Sequence, residues 1–220
     1  MAFTGENKSG KSYSSLKFAG MFSKEITGTP FHTVFTYEKF FELAENPDIN
    51  NCVILFDEVG SESRSERYWE VESQNLGEIL ELWGMKKCIL LLTLPNWSKL
   101  TSGVKGMIHF RASCFVEIID DNPIYKVSVL RKFESFKRDK EIFYPFKTLT
   151  VMRDEETDKQ YELYWPKKVE NYNEKLQEMK ARFLKKELKK AVSSVPTNAI
   201  YKLPPAPEEK LDWSRPIIRK

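Results

Sequence analysis

Residues 5–12 constrain the fold more than any other stretch of this 220-residue chain. Their sequence, GENKSGKS, has the G-x-x-x-x-G-K-[ST] spacing of a phosphate-binding loop. In such a loop the glycines let backbone N–H groups turn inward, the lysine reaches the terminal phosphates of a nucleotide, and the hydroxyl binds Mg²⁺. The spacing therefore predicts a nucleotide site whose candidate residues are Gly5, Glu6, Asn7, Lys8, Ser9, Gly10, Lys11, Ser12 and Tyr13.

The sequence on either side of this loop supports the prediction only in part. Residues 12–22 can form the helix whose N-terminus faces the phosphates, but residues 1–4 offer only a very short strand before the loop. Because glycine, serine and lysine are common, a Gly- and Ser-rich surface turn explains the octapeptide equally well. A second motif is needed to decide between the two interpretations.

Residues 52–58 supply that second motif. Their sequence, CVILFDE, is a continuous apolar run that fits a strand buried on both faces, and it ends in two adjacent carboxylates. This resembles a Walker B strand, in which Asp57 would hold Mg²⁺ through its water shell and Glu58 would polarise the attacking water. The alternative is a strand end followed by a solvated acidic turn.

The rest of residues 1–122 fits a parallel α/β sheet flanked by helices. Strands are predicted at residues 31–35, 87–96 and 110–119, and amphipathic helices at residues 37–44 and 71–83. In P-loop hydrolases the strand next to Walker B commonly ends in a polar sensor of the γ-phosphate or the attacking water. Thr93 and Asn96 are the candidates here, although Thr93 can equally be an ordinary strand residue. Arg64 or Arg67, in a polar loop, could act as an arginine finger. The alternative is that both side chains are simply exposed to solvent.

The pattern of predicted secondary structure changes after residue 122. Strands are predicted at residues 126–130, 143–152 and 160–165, with residues 154–158 as a polar hairpin connection, so that residues 123–166 form an antiparallel extension. Residues 167–192 are expected to contain a basic amphipathic helix, and residues 193–220 a Pro-rich extended arm. Basic and aromatic residues alternate between residues 131 and 140, a pattern that fits either a nucleic-acid surface or a solvated loop.

Composition excludes several classes of protein. A net charge of +3, from 35 basic and 32 acidic residues, is too balanced to indicate nucleic-acid binding by itself. The three cysteines are widely spaced, which favours buried thiols and a cytoplasmic protein over disulfides or a metal cluster. No apolar run approaches the ~20 residues that a membrane-spanning helix needs.

Together, the loop GENKSGKS, the strand VILFDE, the helix ending in LWGMKK and the strand ILLLTLPNW resemble P-loop ATPases of the additional-strand, RecA-like class. Within that class the chain is most similar to the FtsK/HerA-type DNA-pumping ATPases and the Zot-like phage assembly ATPases of archaea and viruses. The resemblance covers about residues 1–120. It implies that Lys11 contacts the phosphates, that Ser12 and Asp57 bind Mg²⁺, that Glu58 is the catalytic carboxylate, and that Thr93 or Asn96 is the sensor.

The expected function is therefore Mg²⁺-dependent hydrolysis of ATP that moves, packages or remodels a polymer, with DNA as the favoured candidate, in a homo-oligomer. Two alternatives stay open. A nucleotide or small-molecule kinase shares the phosphate-binding loop, but the Asp57-Glu58 pair favours water as the phosphate acceptor. An assembly protein in which the nucleotide only stabilises an oligomer is the second alternative.

Overall fold

The protein has an α/β fold built on one mixed sheet. The structure, a computed structural model, describes residues 1–59, 76–80, 86–119, 122–133 and 142–193. The strands are β1 (Ala2–Thr4), β2 (His32–Val34), β3 (Val53–Phe56), β4 (Ile89–Leu94), β5 (Phe110–Ile119), β6 (Asn122–Phe133) and β7 (Ile142–Val151). The helices are α1 (Lys11–Phe22), α2 (Tyr37–Glu45), α3 (Ser102–Met107) and α4 (Glu155–Ser193), with a π-helical segment at Ser23–Thr27, a 3₁₀ helix at Trp97–Lys99 and helical residues at 76–80.

The sheet has the strand order β2-β3-β4-β1-β5-β6-β7. The first five strands in this order run parallel to one another, and β6 and β7 continue the sheet antiparallel. Strand β4 thus lies between β1, which precedes the phosphate-binding loop, and β3, which precedes Asp57. The expected fold class, a parallel α/β sheet with an antiparallel extension and a C-terminal helix, is confirmed.

The three residues of β1 form a short strand in the interior of the sheet. All three are buried, and they pair with β4 on one side and β5 on the other. Phe3 packs edge-on against Phe18 of α1, with ring centroids 5.4 Å apart. Two hydrogen-bonded neighbours and a covering helix hold β1 in place despite its length.

Both faces of the parallel strands are covered, as their continuous apolar sequences predict. On one face Ile54 and Phe56 of β3 pack with Phe40 of α2, whose ring stacks on that of Phe56 at 5.2 Å. On the other face Val53 and Leu55 pack with residues of α1. Because β1, β3 and β4 are parallel, their carboxyl ends meet at one edge of the sheet, where the polar residues of the motifs follow.

The predicted strand at residues 160–165 and the hairpin connection at residues 154–158 are wrong, because residues 155–165 belong to α4 and Asp154 directly precedes it. The Asp154 carboxylate accepts hydrogen bonds from the backbone N–H of Thr157 at 2.8 Å and from its hydroxyl at 3.0 Å, which caps the helix. Glu155 and Glu156 then occupy the first turn, where acidic side chains favour the helix dipole. Pro166 lies inside the helix without ending it.

Several predictions concern residues that the structure does not describe: the loop with Arg64 and Arg67, residues 134–140, and the arm from residue 194 onward. The helix predicted at residues 71–83 is described, and is helical, at residues 76–80. Met1–Leu176 forms one compact unit and Gln177–Lys220 a second. None of the described helices has the length and apolar character that crossing a membrane requires.

Candidate functional site

The phosphate-binding loop connects β1 to α1, and its two motif glycines are sterically required. Gly5 has φ 154° and Gly10, the residue before α1, has φ 80°. A Cβ at Gly5 would lie 2.4 Å from the carbonyl oxygen of Cys114, and a Cβ at Gly10 would lie 2.4 Å from the ring of Tyr125. Both the backbone conformation and the close packing exclude a side chain, so the loop has the compact shape that its glycines predict.

Lys11 is folded back over this loop. Its ammonium group donates hydrogen bonds to the carbonyl oxygens of Gly5 at 2.9 Å and Glu6 at 2.6 Å. Burial lowers the pKa of Lys11 below its usual value, and the nearby charge of Lys168 adds to this effect. The buried hydroxyl of Ser9 has no hydrogen-bond partner among the described residues. An inward-facing cation and an unsatisfied donor are what an anionic phosphate would satisfy.

Asp57 is the centre of the site. It follows β3, is fully buried, and lies with its two carboxylate oxygens 3.4 and 3.5 Å from the hydroxyl of Ser12 at the start of α1. The hydroxyls of Thr93 and Tyr164 both donate hydrogen bonds to its carboxylate. Burial raises the pKa of Tyr164, and the charge of Asp57 raises it further, so the phenol stays a donor.

Glu58 extends from the same strand end into the cleft. Its backbone adopts φ 57°, a left-handed conformation that is uncommon for a residue other than glycine. The Glu58 N–H donates to the hydroxyl of Thr93 at 2.7 Å, which ties the end of β3 to the end of β4. Such local strain at a residue that points into a cleft is typical of functional sites.

Lys168 of α4, like Tyr164 on the same helix, is a site residue that the sequence analysis missed. Its ammonium nitrogen lies 2.9 Å from the hydroxyl of Ser12, 2.9 Å from Oδ2 of Asp57 and 2.8 Å from Oε1 of Glu58. Burial by itself would lower the pKa of Lys168, but the charges and hydrogen bonds of Asp57 and Glu58 outweigh burial and raise it. The group is therefore held as a cation between two carboxylates.

A cavity of about 660 Å³ opens beside these residues. Its polar lining includes Lys8, Lys11, Ser12, Glu58 and Arg153, and its wall also includes the rings of Tyr13, Tyr125, Tyr161 and Trp165. The rings of Tyr161 and Trp165 stack at 5.7 Å with an interplanar angle of 22°. The volume lies within the range of roughly 300–1,000 Å³ that small-molecule sites usually have.

The two sensor candidates have different positions. Thr93 lines the cavity and contacts both Asp57 and Glu58. Asn96 is exposed, and its side-chain oxygen accepts a hydrogen bond from the backbone N–H of Ser98 at 2.9 Å, capping the 3₁₀ helix. The structure does not bring Asn96 into the cleft, because the chain turns at Pro95 before reaching it.

The residues at the centre of the site fit Mg²⁺. They present a hydroxyl oxygen from Ser12 and the carboxylate oxygens of Asp57, which are the hard donors that Mg²⁺ prefers, with the carboxylate of Glu58 beside them. A cation, the Lys168 ammonium, already lies among these oxygens. Within the described part of the chain no cluster of three or more His, Cys, Asp or Glu side chains is placed to hold a metal. The protein therefore offers a partial coordination shell of the kind that Mg²⁺ completes with phosphate and water.

Comparisons with known proteins find structural similarity only. No protein-family model matches the chain, and no curated protein matches it. Among solved structures, it is similar to the N-terminal domain of zonular occludens toxin from Neisseria meningitidis, at 10% identity and a TM-score of 0.43, covering 73% of this chain and 95% of that one. A KaiC-like protein from Pyrococcus horikoshii OT3 gives 14% identity and a TM-score of 0.41, covering 69% and 88% of the two chains. The flagellar accessory protein FlaH from Methanocaldococcus jannaschii gives 13% identity and a TM-score of 0.33, covering 59% of this chain and 76% of that one.

Proposed function

We propose that this protein is a Mg²⁺-dependent ATPase. The observation that carries the proposal is a convergence at the carboxyl edge of the parallel strands: Lys11, Ser12 and Glu58 line one cleft, and the buried Asp57, which follows β3, lies against Ser12. Open α/β sheets bind their ligands at this edge. Two motifs that are individually common in sequences are far less common in this spatial arrangement.

Lys11 and the loop bind the phosphates in this proposal. The Lys11 ammonium exchanges its hydrogen bonds to the carbonyls of Gly5 and Glu6 for bonds to the terminal phosphates, while backbone N–H groups before α1 face the remaining oxygens. The α1 N-terminus contributes a favourable dipole. Bound Mg²⁺ supplies charge neutralisation of the phosphates when it is present.

Glu58 orients and polarises the attacking water. Its carboxylate is partly exposed to the cavity, whereas Asp57 is fully buried, so the two adjacent carboxylates have different environments and different roles. Thr93 positions the Glu58 backbone through a hydrogen bond and thus fixes the direction of that side chain. A positioned carboxylate that accepts the proton of water is the usual requirement for hydrolysis of this kind.

The base of the nucleotide is expected on the aromatic side of the cavity. The stacked rings of Tyr161 and Trp165 offer a flat surface, and Trp165 is about half exposed, at 48%. Such surfaces favour stacking of any base, so the assignment of ATP rests on the resemblance of the sequence to ATPases.

We further propose that hydrolysis drives movement or remodelling of a polymer, with DNA as the favoured candidate, by a cytoplasmic homo-oligomer of the FtsK/HerA or Zot-like type. The motif resemblance supports this finer assignment. Arg131 and Lys132, at the end of β6, begin the basic and aromatic stretch that would follow a phosphate backbone.

The test is an assay of ATP hydrolysis by the full chain with and without double-stranded DNA, run beside a mass measurement with nucleotide. Stimulation by DNA is the expected result. The matched variants are Lys11→Ala, which should abolish turnover, and the exposed Lys24→Ala, which should not change it. If the protein hydrolyses ATP but neither binds DNA nor is stimulated by it, the polymer-moving function is contradicted and the ATPase activity is not. Tight ATP binding without any hydrolysis would defeat the ATPase and favour an assembly protein.

A further inference from the structure

Lys168 occupies the oxygen cluster that suits Mg²⁺. Three oxygens surround its ammonium nitrogen at 2.8 to 2.9 Å, one each from Ser12, Asp57 and Glu58. The side chain of Lys168 is only 16% exposed, and that of Asp57 is 0% exposed. This is a desolvated ion pair inside the site, unlike the exposed pairs along the rest of α4 such as Arg182 with Glu178.

An ammonium group and a metal ion cannot share these oxygens. Mg²⁺ requires oxygen ligands at about 2.0–2.1 Å in a nearly octahedral arrangement, so either the ion or the water through which Asp57 would hold it must take up the volume that the ammonium fills. Two positive centres at such close range also repel each other strongly in a buried environment. The two cations are therefore alternative occupants of one cluster.

The helix presents a second group to the same carboxylate. Tyr164 lies one helical turn before Lys168, and its hydroxyl donates a hydrogen bond to Asp57. Its ring packs against Phe35 with centroids 5.5 Å apart. Residues 164 and 168 thus both bind Oδ2 of Asp57, and they do so from a single face of the helix.

We propose that Lys168 is a built-in competitor of Mg²⁺, whose ammonium group must leave the oxygens of Ser12, Asp57 and Glu58 before the metal-nucleotide complex binds. This inference rests on the proposed function for the identity of the metal. It adds that metal binding changes the contacts of the face of α4 that carries residues 161–168. Lys168 has a flexible stem of four carbons and lines the cavity, so the ammonium has space into which it withdraws.

The first experiment uses Mg²⁺ alone, without nucleotide. The melting temperature of the full chain is measured against MgCl₂ concentration for the unsubstituted protein, for Lys168→Met, and for Lys167→Met as the matched control, because Lys167 is exposed on the same helix. For Lys168→Met, half of the Mg²⁺-induced rise in melting temperature should be reached at a MgCl₂ concentration about tenfold lower than for the unsubstituted protein. A factor of this size is usual when two ligands compete for one site. Lys167→Met should follow the unsubstituted protein. Equal Mg²⁺ dependence in all three proteins would overturn the proposal.

The second experiment needs no substitution, and it covers the case in which Lys168→Met does not fold. Hydrogen–deuterium exchange is followed in the peptide that spans residues 161–168, with a non-hydrolysable ATP analogue in EDTA and then in MgCl₂. Faster exchange in MgCl₂ is expected, because the contacts of Lys168 and Tyr164 with Asp57 are lost. Unchanged exchange, despite binding of the analogue in both conditions, contradicts the proposal. Failure of the analogue to bind in either condition contradicts the proposed ATPase, while the measurement with Mg²⁺ alone still decides the role of Lys168.

Discussion

The backbone N–H of Glu58 donates a 2.7 Å hydrogen bond to the hydroxyl of Thr93, and that hydroxyl donates its own proton to the carboxylate of Asp57. One side chain on β4 thereby contacts both acidic residues at the end of β3, Asp57 through its carboxylate and Glu58 through its backbone. The arrangement uses the hydroxyl fully, once as donor and once as acceptor.

Thr93→Val should weaken both the fold and the activity. The change keeps the approximate shape but leaves the Glu58 N–H without its acceptor, which costs about 1–3 kcal/mol of unfolding free energy for a buried group. Urea unfolding measures this cost, and turnover should fall because Glu58 is no longer held in its strained conformation. Thr33→Val on β2 is the control and should change neither property. Normal turnover in Thr93→Val would show that the hydroxyl has no part in positioning Glu58.

Glu58→Gln should preserve ATP binding and reduce turnover by about 10²–10⁴-fold, the usual contribution of a positioned acid or base. The amide keeps the size of the side chain but cannot accept the proton of the attacking water. Fluorescent-nucleotide titration and a phosphate-release assay separate the two properties. Glu42→Gln, at an exposed position of α2, is the matched control. Hydrolysis by Glu58→Gln at the unsubstituted rate would refute the catalytic role of this carboxylate.

Gly10→Ala should abolish nucleotide binding. The new Cβ would approach within 2.4 Å of the Tyr125 ring, and the backbone would have to keep φ 80° with a side chain attached. Gly103→Ala in α3 is the control, because a methyl group added there would meet no other atom within 4 Å and alanine favours a helix by up to about 1 kcal/mol. Nucleotide titration measures the difference. Full affinity in Gly10→Ala would mean that the loop opens away from Tyr125 on binding.

Asp154 should stabilise the start of α4 in a pH-dependent manner. Hydrogen bonding from Lys17, 2.7 Å away, together with that from the Thr157 backbone, lowers the pKa of Asp154 to about 2. Since this lies below the value of about 3.9 in an unfolded chain, the carboxylate stabilises the fold above about pH 4, and the contribution is lost as the pH falls toward 2. The side chain is 41% exposed, so solvent screening keeps the ionic part small.

Two substitutions separate the ionic and capping contributions of Asp154. Asp154→Asn keeps a capping oxygen and removes the charge, whereas Asp154→Ala removes both and should cost about 0.5–2 kcal/mol at pH 7. Urea unfolding at pH 7 and pH 3 measures both variants. The difference between Asp154→Asn and the unsubstituted protein should shrink at pH 3. A difference that is constant with pH would exclude the ionic contribution.

The parallel part of the fold follows closely from the sequence because its signals are local. The runs before Asp57 and Thr93 consist of apolar residues on both faces of the strand, so neither face suits contact with water. A strand covered on both faces accommodates them. The two glycines of residues 5–12 likewise adopt positive φ angles, which other residues rarely do. These features predict the order of elements and the edge at which the site lies.

The role of α4 could not be predicted in the same way. Tyr161, Tyr164, Trp165 and Lys168 share one helical face, but aromatic residues also favour strands, and Pro166 within the segment argues against a helix. The cap at Asp154 is the local signal that favours the helix. That Lys168 reaches Asp57, 111 residues earlier in the chain, is a consequence of tertiary packing, and no spacing rule within the sequence encodes it.

Strand β4 sets the distance between the two nucleotide motifs. Leu92 lies opposite Ala2 of β1 on one side and opposite Phe56 of β3 on the other, so the strand before each motif is aligned to β4 and the two strands do not pair with each other. A slip of β4 against either neighbour would move Ser12 relative to Asp57 by the length of the slip. Substitutions at Leu91 and Leu92, which are buried in this strand and do not line the cavity, should therefore alter how ATP and metal are held by changing the distance between the two motifs.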